Sequence, residues 1–225
     1  MNELFTKGYL VGDVYKDIVK DQSQFNSVID KLFKMSEDKS VYYGYRYAVK
    51  SPNGEQFIGM DDQIPVSEIQ ERHKFVAEKN AKVAQRWYEL RNPSAEMYEI
   101  LTYFRTLVSN FIPTLYPELS DANISYDDSI SIYEDGDFIE PHTDGQNKGR
   151  LGVILIYLTK PSEYKDGGGK LIVTNNSITE EVIPVRGNYT ILDFTNNNVQ
   201  HAVQPVKNGF KRFCYISFIY NKDKK

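Results

Sequence analysis

The segment from Tyr133 to Tyr157 reads YEDGDFIEPHTDGQNKGRLGVILIY, and the rest of the chain is interpreted around it. It places His142 and Asp144 two residues apart, just before an apolar run that is rich in branched residues. Residues i and i+2 of an extended strand point to the same face, about 6–7 Å apart along the chain. An imidazole and a carboxylate can therefore approach one metal ion from a single strand end.

A third metal ligand is predicted farther along the chain. His201 lies between two strand-like segments, and the chain contains only three histidines, two of which belong to this set. An isolated H-x-D motif is usually part of a solvated loop. Two His and one carboxylate, however, are the ligand set of non-haem Fe(II) oxygenases, and this set leaves coordination positions open. We therefore predict that His142, Asp144 and His201 bind one Fe(II) ion and form the catalytic centre.

Further segments accompany these three residues in a fixed order. They are Y-x-x-G-x5-H-T-D from Tyr133, GRLGVILIYL, GGGKL, LDF followed by HAVQPV, and KRFCYISF. With them, residues 123–221 resemble the 2-oxoglutarate- and Fe(II)-dependent dioxygenases, and in particular the prolyl-hydroxylase branch. The order and spacing of the segments are more specific than any one of them. The first 120 residues carry no motif that we can assign.

The C-terminal half is predicted to consist of short alternating strands separated by turn residues. The predicted strands are 124–133, 150–158, 170–175, 180–185, 188–194, 199–205 and 212–220. Many short strands without intervening helices indicate a jelly roll or barrel. We predict an α+β fold, a double-stranded β-helix (jelly roll, cupin-like) with N-terminal supporting helices. One catalytic domain is expected over 1–225, with a support region at 1–120 and the β-helix core at 121–221.

The support region is predicted to be mainly helical, with a flanking strand. Its predicted elements are a strand and turn at 1–22, a helix at 23–35, a strand at 40–50, a loop at 51–64, a helix at 67–91, and a helix from Asn92-Pro93 to Pro113. Val41, Tyr43, Tyr45 and Tyr47 share one face of the predicted strand. We expect Tyr43 and Tyr45 to form a substrate wall and the 51–64 loop a lid; the alternative is an ordinary strand that flanks the main sheet.

The resemblance implies that 2-oxoglutarate chelates the iron and that its distal carboxylate pairs with a buried cation. A planar guanidinium suits a bidentate pairing of this kind. The spacing from His201 favours Lys211, whereas strand alternation favours Arg212, because Phe213 would otherwise fill the space that the cosubstrate needs. We favour Arg212 and expect Phe213 and Tyr215 to point outward.

Three further residues are assigned by the same resemblance. Tyr157 aligns with a tyrosine that donates to the distal carboxylate, and Tyr133 aligns with one that borders the pocket. Arg150 matches an arginine near the substrate in the hypoxia-factor prolyl hydroxylases. The alternatives are a core tyrosine for Tyr157 and a solvated cation at a strand start for Arg150. The run Gly167–Gly169 lacks the residues of a phosphate loop, so a hairpin turn is expected there.

The implied activity is hydroxylation of a substrate C–H with release of succinate and CO2. Asp144 favours hydroxylation over halogenation, because relatives that halogenate carry a small residue in its place. The implied cofactors are Fe(II), 2-oxoglutarate and O2, with ascorbate as an optional addition. A prolyl residue of a peptide or protein is the preferred substrate. A free amino acid or other small molecule is the alternative, and a non-catalytic cupin-like binding module is the second alternative.

Composition excludes several other classes of function. The chain has 225 residues and a net charge of −4 without a basic block, which argues against nucleic-acid binding. The single cysteine, Cys214, rules out an internal disulfide and indicates a reducing compartment. The N-terminus lacks the apolar core of a secretory signal, and no stretch approaches 18 apolar residues. We therefore expect a cytoplasmic protein without membrane spans; the oligomeric state is left open.

Overall fold

The structure is a computed structural model. It describes residues 3–36, 94–118, 123–144, 149–176, 178–195 and 199–224, and the backbone of three strands at 42–50, 56–65 and 82–90. The helices of this part of the chain are α1 (Glu3–Lys7), α2 (Val14–Asp17), α3 (Gln22–Ser36) and α4 (Ala95–Leu115). Short 3₁₀ turns follow at Pro161–Glu163 and Lys222–Lys224. None of these helices is long and apolar enough to cross a membrane.

The strands of the described residues form one antiparallel sheet that folds over on itself. They are β1 (Tyr9–Asp13), β2 (Tyr42–Lys50), β3 (Gln56–Pro65), β4 (Lys82–Leu90), β5 (Ile124–Tyr133), β6 (Phe138–His142), β7 (Arg150–Tyr157), β8 (Leu171–Asn175), β9 (Ile178–Val182), β10 (Asn188–Asp193), β11 (Val199–Val203) and β12 (Arg212–Asn221). Their order is β1-β10-β7-β12-β5-β4-β6-β11-β8-β9, with β2 on β4 and β3 on β2.

The sheet has two halves that face each other. We call β1-β10-β7-β12-β5 the major sheet and β6-β11-β8-β9 the minor sheet. Buried side chains from both halves form one apolar cluster, the inner cluster, which includes Val153, Leu155, Val173, Val199 and Val203. Two sheets that bury a common set of inward-facing residues form a sandwich. The prediction of a double-stranded β-helix is confirmed.

The helices cover the other face of the major sheet. Their buried residues, such as Phe25 and Phe104, join Ile154, Phe213 and Tyr215 in a second, outer cluster. The Phe104 and Tyr215 rings stack with centroids 4.9 Å apart. Because side chains alternate between the two faces of a strand, the major sheet is apolar on both faces and needs a cover on each. The predicted supporting helices provide the outer cover.

Two of the predicted helices are confirmed with small shifts. In α3 the buried residues Phe25, Ile29 and Leu32 lie at helical spacing. The cap of α4 is Ser94, whose hydroxyl accepts from the Met97 N–H at 3.2 Å, so the helix starts just after the predicted Asn92-Pro93. It continues past Pro113 to Leu115, because a proline in the last turn removes only one backbone hydrogen bond.

Two predictions for the N-terminal half are wrong. The predicted 51–64 loop contains most of β3, and the predicted 67–91 helix ends in strand β4; residues 66–81 lie outside the described part of the chain. Strand β4 pairs with β5 through Tyr88 and Ile132, and with β6 through Gln85 and Ile139. Ladder hydrogen bonds to strands distant in sequence outweigh a local helical pattern of apolar residues. The strand predicted at 40–50 is confirmed as β2.

Other departures from the predictions are smaller. Residues 1–22 contain α1 and α2 on either side of the expected strand, β1, and the short strand β6 was not predicted. The Gly167–Gly169 run is not a hairpin turn, because the strands on either side of it, β7 and β8, are not paired. Gly168 has φ 65° and forms an isolated bridge with Val206. Its positive φ suits glycine, and a Cβ atom there would clash with the Pro205 carbonyl oxygen.

Candidate metal centre

Two neighbouring strands bring the predicted ligands together. His201 lies in β11 directly opposite His142, the last residue of β6, and their ring centroids are 4.2 Å apart. Asp144 follows two residues after the end of β6, so it approaches from the loop rather than from the strand itself. The pairing of β6 with β11 therefore determines the distance between the two imidazoles.

The spacing of these three side chains fits a divalent cation. The Asp144 carboxylate oxygens lie 3.7 Å from His142 Nε2 and 3.5 Å from His201 Nε2. One ligand atom from each residue lies within 4.8 Å of the others. Metal–nitrogen and metal–oxygen bonds of about 2.0–2.2 Å can be accommodated by donors at such separations. Two imidazoles and one carboxylate are also the donor set of non-haem Fe(II) sites.

Hydrogen bonding determines which nitrogen of His142 can bind the cation. Its Nδ1 lies 2.9 Å from the backbone carbonyl oxygen of Glu140. A carbonyl can only accept, so Nδ1 carries the hydrogen and donates it. Nε2 then holds the lone pair and faces Asp144. Partners of this kind on the far side of a ligating histidine determine its tautomer and orientation.

His201 is held in its neutral form by its surroundings. The side chain is buried, and burial lowers its pKa to about 4; His142 acts in the same direction, while Asp144 opposes it. A neutral imidazole keeps a lone pair for a metal at neutral pH. Its Nδ1 is buried without a hydrogen-bond partner among the described residues. Both histidines can therefore offer Nε2 to one cation.

A buried positive charge lies in the same interior. Arg212, only 1% exposed, is paired across the sheet with Tyr133. Its guanidinium carbon is 4.8 Å from the centroid of the Tyr133 ring and 5.3 Å from that of the Tyr157 ring. No described carboxylate forms an ion pair with it, and its Nε is buried without a partner. A buried charge without a counter-ion is costly, so this position suits an anionic ligand.

Lys211 and the residues after Arg212 face elsewhere. The Lys211 side chain is 62% exposed and its Nζ lies 3.1 Å from a carboxylate oxygen of Glu134. Phe213 and Tyr215 face away from the interior, as expected, but they are not solvent-exposed: they are 2% and 0% exposed under the helices. The outward face of β12 is apolar because α3 and α4 cover it.

Tyr157 and Tyr133 line the same interior and are both buried. Burial raises the pKa of Tyr157, and the nearby Arg212 guanidinium opposes the rise. The phenol therefore stays protonated and can donate a hydrogen bond. Its hydroxyl lies 3.1 Å from Thr190 Oγ1. Thr190 was not predicted; its only signal in the sequence is a polar residue in the apolar run of β10.

Arg150 lies at the other end of the interior face of β12. Its Nη2 donates to the Tyr220 hydroxyl at 3.3 Å, and its guanidinium carbon is 4.4 Å from the Phe218 ring centroid. The pairing register of β7 with β12 shifts next to this residue, which sets Arg150 opposite Tyr220. Its Nε is buried without a partner in the described part of the chain. Sequence reasoning missed Phe218 and Tyr220 as its contacts.

The remaining predicted site residues stay predictions. Tyr43 and Tyr45 belong to β2, whose backbone pairs with β3 and β4, but their side chains lie outside the described part of the structure. The first residues of the predicted lid, 51–55, lie outside it as well.

When the chain is compared with known proteins, it matches one family model and many solved structures. Residues 129–220 match the family model of the 2OG-Fe(II) oxygenase superfamily. Among curated protein sequences, none matches this chain. Of the solved structures, 192 chains match.

Three of these structures illustrate the likeness. A prolyl-4-hydroxylase from Pseudomonas putida is 13% identical with a TM-score of 0.56, covering 97% of this chain and 95% of that one. A prolyl hydroxylase from Trichoplax adhaerens, in complex with a hypoxia inducible factor peptide fragment, is 14% identical with a TM-score of 0.62, covering 99% and 88%. A 2OG-Fe(II) oxygenase family oxidoreductase from Burkholderia pseudomallei is 14% identical with a TM-score of 0.56, covering 97% and 90%. At such identities the likeness concerns the fold.

Proposed function

Because this chain resembles the 2OG-Fe(II) oxygenase superfamily and, within it, the prolyl 4-hydroxylases, we propose that it is an Fe(II)- and 2-oxoglutarate-dependent hydroxylase of prolyl residues. The observation that carries the proposal is the convergence of His142, Asp144 and His201, with one ligand atom of each within 4.8 Å of the others. The three residues would hold one Fe(II) ion and leave the rest of its coordination sphere to cosubstrate, oxygen or water.

Bound iron and 2-oxoglutarate supply the oxidising chemistry that turns a substrate C–H into C–OH with release of succinate and CO2. The chain's own residues would bind and orient the metal and the cosubstrate and would exclude water from the interior. His142 presents Nε2 because Glu140 accepts its Nδ1 hydrogen, and His201 stays neutral because it is buried. Apolar residues of the inner cluster, such as Leu155 and Val173, keep the interior dry, which strengthens every charge interaction inside it.

Arg212 would hold the distal carboxylate of 2-oxoglutarate. Its burial, its two flanking tyrosine rings and its lack of a described counter-ion support this role. Tyr157, as a neutral phenol, would donate to the same carboxylate, and Tyr133 would border it. Charge-assisted hydrogen bonds from a planar guanidinium and a hydroxyl orient a carboxylate in one direction. A cosubstrate held in this way would leave its keto end for the metal ligands His142, Asp144 and His201.

The substrate would enter at the end of the interior that holds Arg150, Phe218 and Tyr220. An aromatic surface with one cation beside it suits a prolyl ring flanked by peptide carbonyl groups, since carbonyl oxygens accept from a guanidinium. One similar structure is a prolyl hydroxylase in complex with a peptide fragment, which supports a peptide substrate here. O2 is the second cosubstrate, and ascorbate an optional addition to assays.

Metal-dependent turnover tests the proposal. The wild-type protein with Fe(II), 2-oxoglutarate and proline-containing peptides should yield succinate and a peptide heavier by one oxygen atom. Under anaerobic conditions, Fe(II) with 2-oxoglutarate should give a weak visible absorption band. His201→Ala should lose both the band and succinate formation while its circular dichroism remains that of a folded protein. Undiminished turnover in this variant would contradict the assignment of the three ligands.

A second candidate is a hydroxylase of free amino acids or other small molecules. It is favoured by Arg150, whose guanidinium has no carboxylate partner among the described residues and could take an α-carboxylate. Incubation with free amino acids and with peptides, followed by mass spectrometry, separates the two candidates. Oxidation of free amino acids alone would exclude the peptide substrate and leave the dioxygenase assignment intact. Absence of succinate with every substrate would favour a non-catalytic binding module.

A further inference from the structure

Thr190 lies next to the proposed cosubstrate pocket and touches one of its residues, Tyr157. It belongs to β10, between Tyr189 and Ile191, which face the helices, so its own side chain faces the interior. Thr190 is fully buried and pairs with Leu155 of β7, two residues before Tyr157. Its Oγ1 lies 3.1 Å from the Tyr157 hydroxyl oxygen. The contact is therefore a hydroxyl–hydroxyl pair without access to bulk water.

The two hydroxyl groups of this pair have one more donor hydrogen than they have acceptors in the described part of the chain. Two hydroxyl groups supply two hydrogens, but a mutual bond uses only one of them. The Arg212 guanidinium, 5.3 Å from the centroid of the Tyr157 ring, can only donate and therefore offers neither hydroxyl an acceptor. Neither hydroxyl has a further acceptor among the described residues. One buried O–H is thus left without an acceptor, which is costly unless a ligand accepts it.

The position of Arg212 indicates which hydrogen is left over. An anion bound to Arg212 lies beside Tyr157, because the guanidinium carbon is 5.3 Å from the Tyr157 ring centroid. Thr190 touches the Tyr157 hydroxyl, and no contact between Thr190 and Arg212 is found among the described residues. If Thr190 donates to the phenol oxygen, the phenol hydrogen is free to point toward the anion. The opposite direction would turn the phenol hydrogen away from it.

We propose that Thr190 is a positioning residue for the cosubstrate: it donates to the Tyr157 oxygen and thereby directs the Tyr157 hydrogen to the distal carboxylate of 2-oxoglutarate. This inference rests on the proposed function, since it requires a carboxylate at Arg212. Thr190 would act through Tyr157 and would not itself be a ligand of the cosubstrate. Loss of the Thr190 hydroxyl should therefore lower the affinity for 2-oxoglutarate and leave the rate of the oxidation step unchanged.

The first test compares Thr190→Val, which keeps the shape and removes the hydroxyl, with Thr190→Ser, which keeps the hydroxyl. Binding of 2-oxoglutarate to the Mn(II)-loaded protein is measured by calorimetry without oxygen, and KM and kcat are measured separately. We expect Thr190→Val to weaken binding and raise KM by about fivefold to tenfold, the usual effect of one lost hydrogen bond. kcat at saturating 2-oxoglutarate should stay near the wild-type value, and Thr190→Ser should restore the affinity.

A double-mutant cycle separates positioning from packing. Tyr157→Phe removes the hydroxyl on which Thr190 acts, so adding Thr190→Val should then weaken binding no further. Thr174→Val is the matched control, because Thr174 Oγ1 makes a similar contact of 3.2 Å with Thr179 Oγ1 on the exposed side of β8 and β9. It should leave the affinity for 2-oxoglutarate unchanged. If Thr190→Val does not fold, Thr190→Ala and Thr190→Ser form the comparison.

The outcomes distinguish this inference from the proposed function. Wild-type affinity in Thr190→Val and Thr190→Ala, together with a large loss in Arg212→Ala, would overturn the role of Thr190 and leave the cosubstrate assignment standing. Additive losses in the cycle would also overturn it, because the effect would then not pass through Tyr157. A wild-type protein that binds no 2-oxoglutarate would overturn both.

Discussion

Arg212 carries a fully buried positive charge in the interior, and its neighbours along β12 determine what that charge can bind. Lys211 on one side is mostly exposed and paired with Glu134, while Cys214 on the inner face is small and fully buried. The space next to the guanidinium is bordered by Tyr133 and Tyr157. Arg212 therefore differs from Lys211 in its environment and from Cys214 in its charge.

Replacement of Arg212 and replacement of Lys211 should have very different effects on the KM for 2-oxoglutarate. Removing one partner of a buried, hydrogen-bonded charge pair costs about 3–5 kcal/mol, which corresponds to a hundredfold or more in affinity. Arg212→Ala should raise the KM for 2-oxoglutarate by that order. Lys211→Ala should change it little, since an exposed ion pair contributes about 0–1 kcal/mol. Steady-state kinetics at varied 2-oxoglutarate measures both; the reverse ranking would assign the anchor to Lys211.

The single thiol of the chain should be inert in the folded protein. Cys214 is fully buried, and burial raises its pKa to about 11. With the pKa raised, the neutral thiol persists at alkaline pH, and only about one molecule in a thousand carries the reactive thiolate at pH 8. A disulfide reagent such as Ellman's should react with one thiol in denaturant and with none in buffer. Rapid reaction of the native protein would show that this part of the core opens readily.

At the scale of elements, a buried carboxylate joins helix α4 to the outer face of the major sheet. Asp128 of β5 accepts from the Tyr215 hydroxyl at 2.7 Å and from the Ser217 hydroxyl at 2.6 Å, and it pairs with Arg105 of α4. Its side chain is 2% exposed. Hydrogen bonds to a charged acceptor in a buried place are among the stronger ones in proteins. Asp128 therefore orients α4 on the sheet.

Replacing this carboxylate should destabilise the fold. Asp128→Ala leaves two hydroxyl donors without their acceptor, and we expect the free energy of unfolding to fall by about 2–4 kcal/mol. Asp127→Ala is the matched control: it lies next in sequence, points to the opposite face and is exposed, so its effect should stay below about 0.5 kcal/mol. Urea unfolding followed by circular dichroism measures both. Equal effects of the two changes would contradict the role of Asp128.

At the scale of the whole molecule, the two halves of the chain depend on each other. The segment that matches the superfamily, 129–220, supplies most strands of both sheets. Strand β1 of the first half extends the major sheet at β10, and strand β4 joins the major sheet to the minor sheet between β5 and β6. Helices α3 and α4 of the first half cover the outer cluster. Without the first half, the outer face of the major sheet would expose Ile154, Phe213 and Tyr215 to water.

A fragment containing residues 121–225 alone should therefore not form a native core. Exposed apolar patches of this size are characteristic of aggregation or of partly folded states. We expect the fragment to be insoluble, or to bind the dye ANS and lack near-ultraviolet circular dichroism, in contrast to the full chain. A soluble fragment with a cooperative unfolding transition would show that the β-helix folds independently.

The sequence alone determined the positions of most strands of the second half and the candidate residues of its site. Short apolar stretches bounded by Gly and Asn predicted β5, β7, β8, β9, β10, β11 and β12 and indicated a jelly roll or barrel. The resemblance to the dioxygenases then implied the double-stranded β-helix. The two histidines and the carboxylate were identified by residue type and spacing, and Arg212 was favoured over Lys211 from strand alternation. These are local properties, because side-chain alternation and turn chemistry depend on near neighbours in the chain.

Only the tertiary structure decided the parts that depend on partners distant in sequence. Strand β4 has apolar residues at helical spacing, yet its backbone pairs with β5 and β6. The unpredicted strand β6 sets His142 opposite His201, and the cover of α3 and α4 buries Phe213 and Tyr215. Thr190 acquires its contact with Tyr157 in the same way, through the pairing of β10 with β7. Such contacts arise when separate segments pair and pack, so no local pattern of residues encodes them.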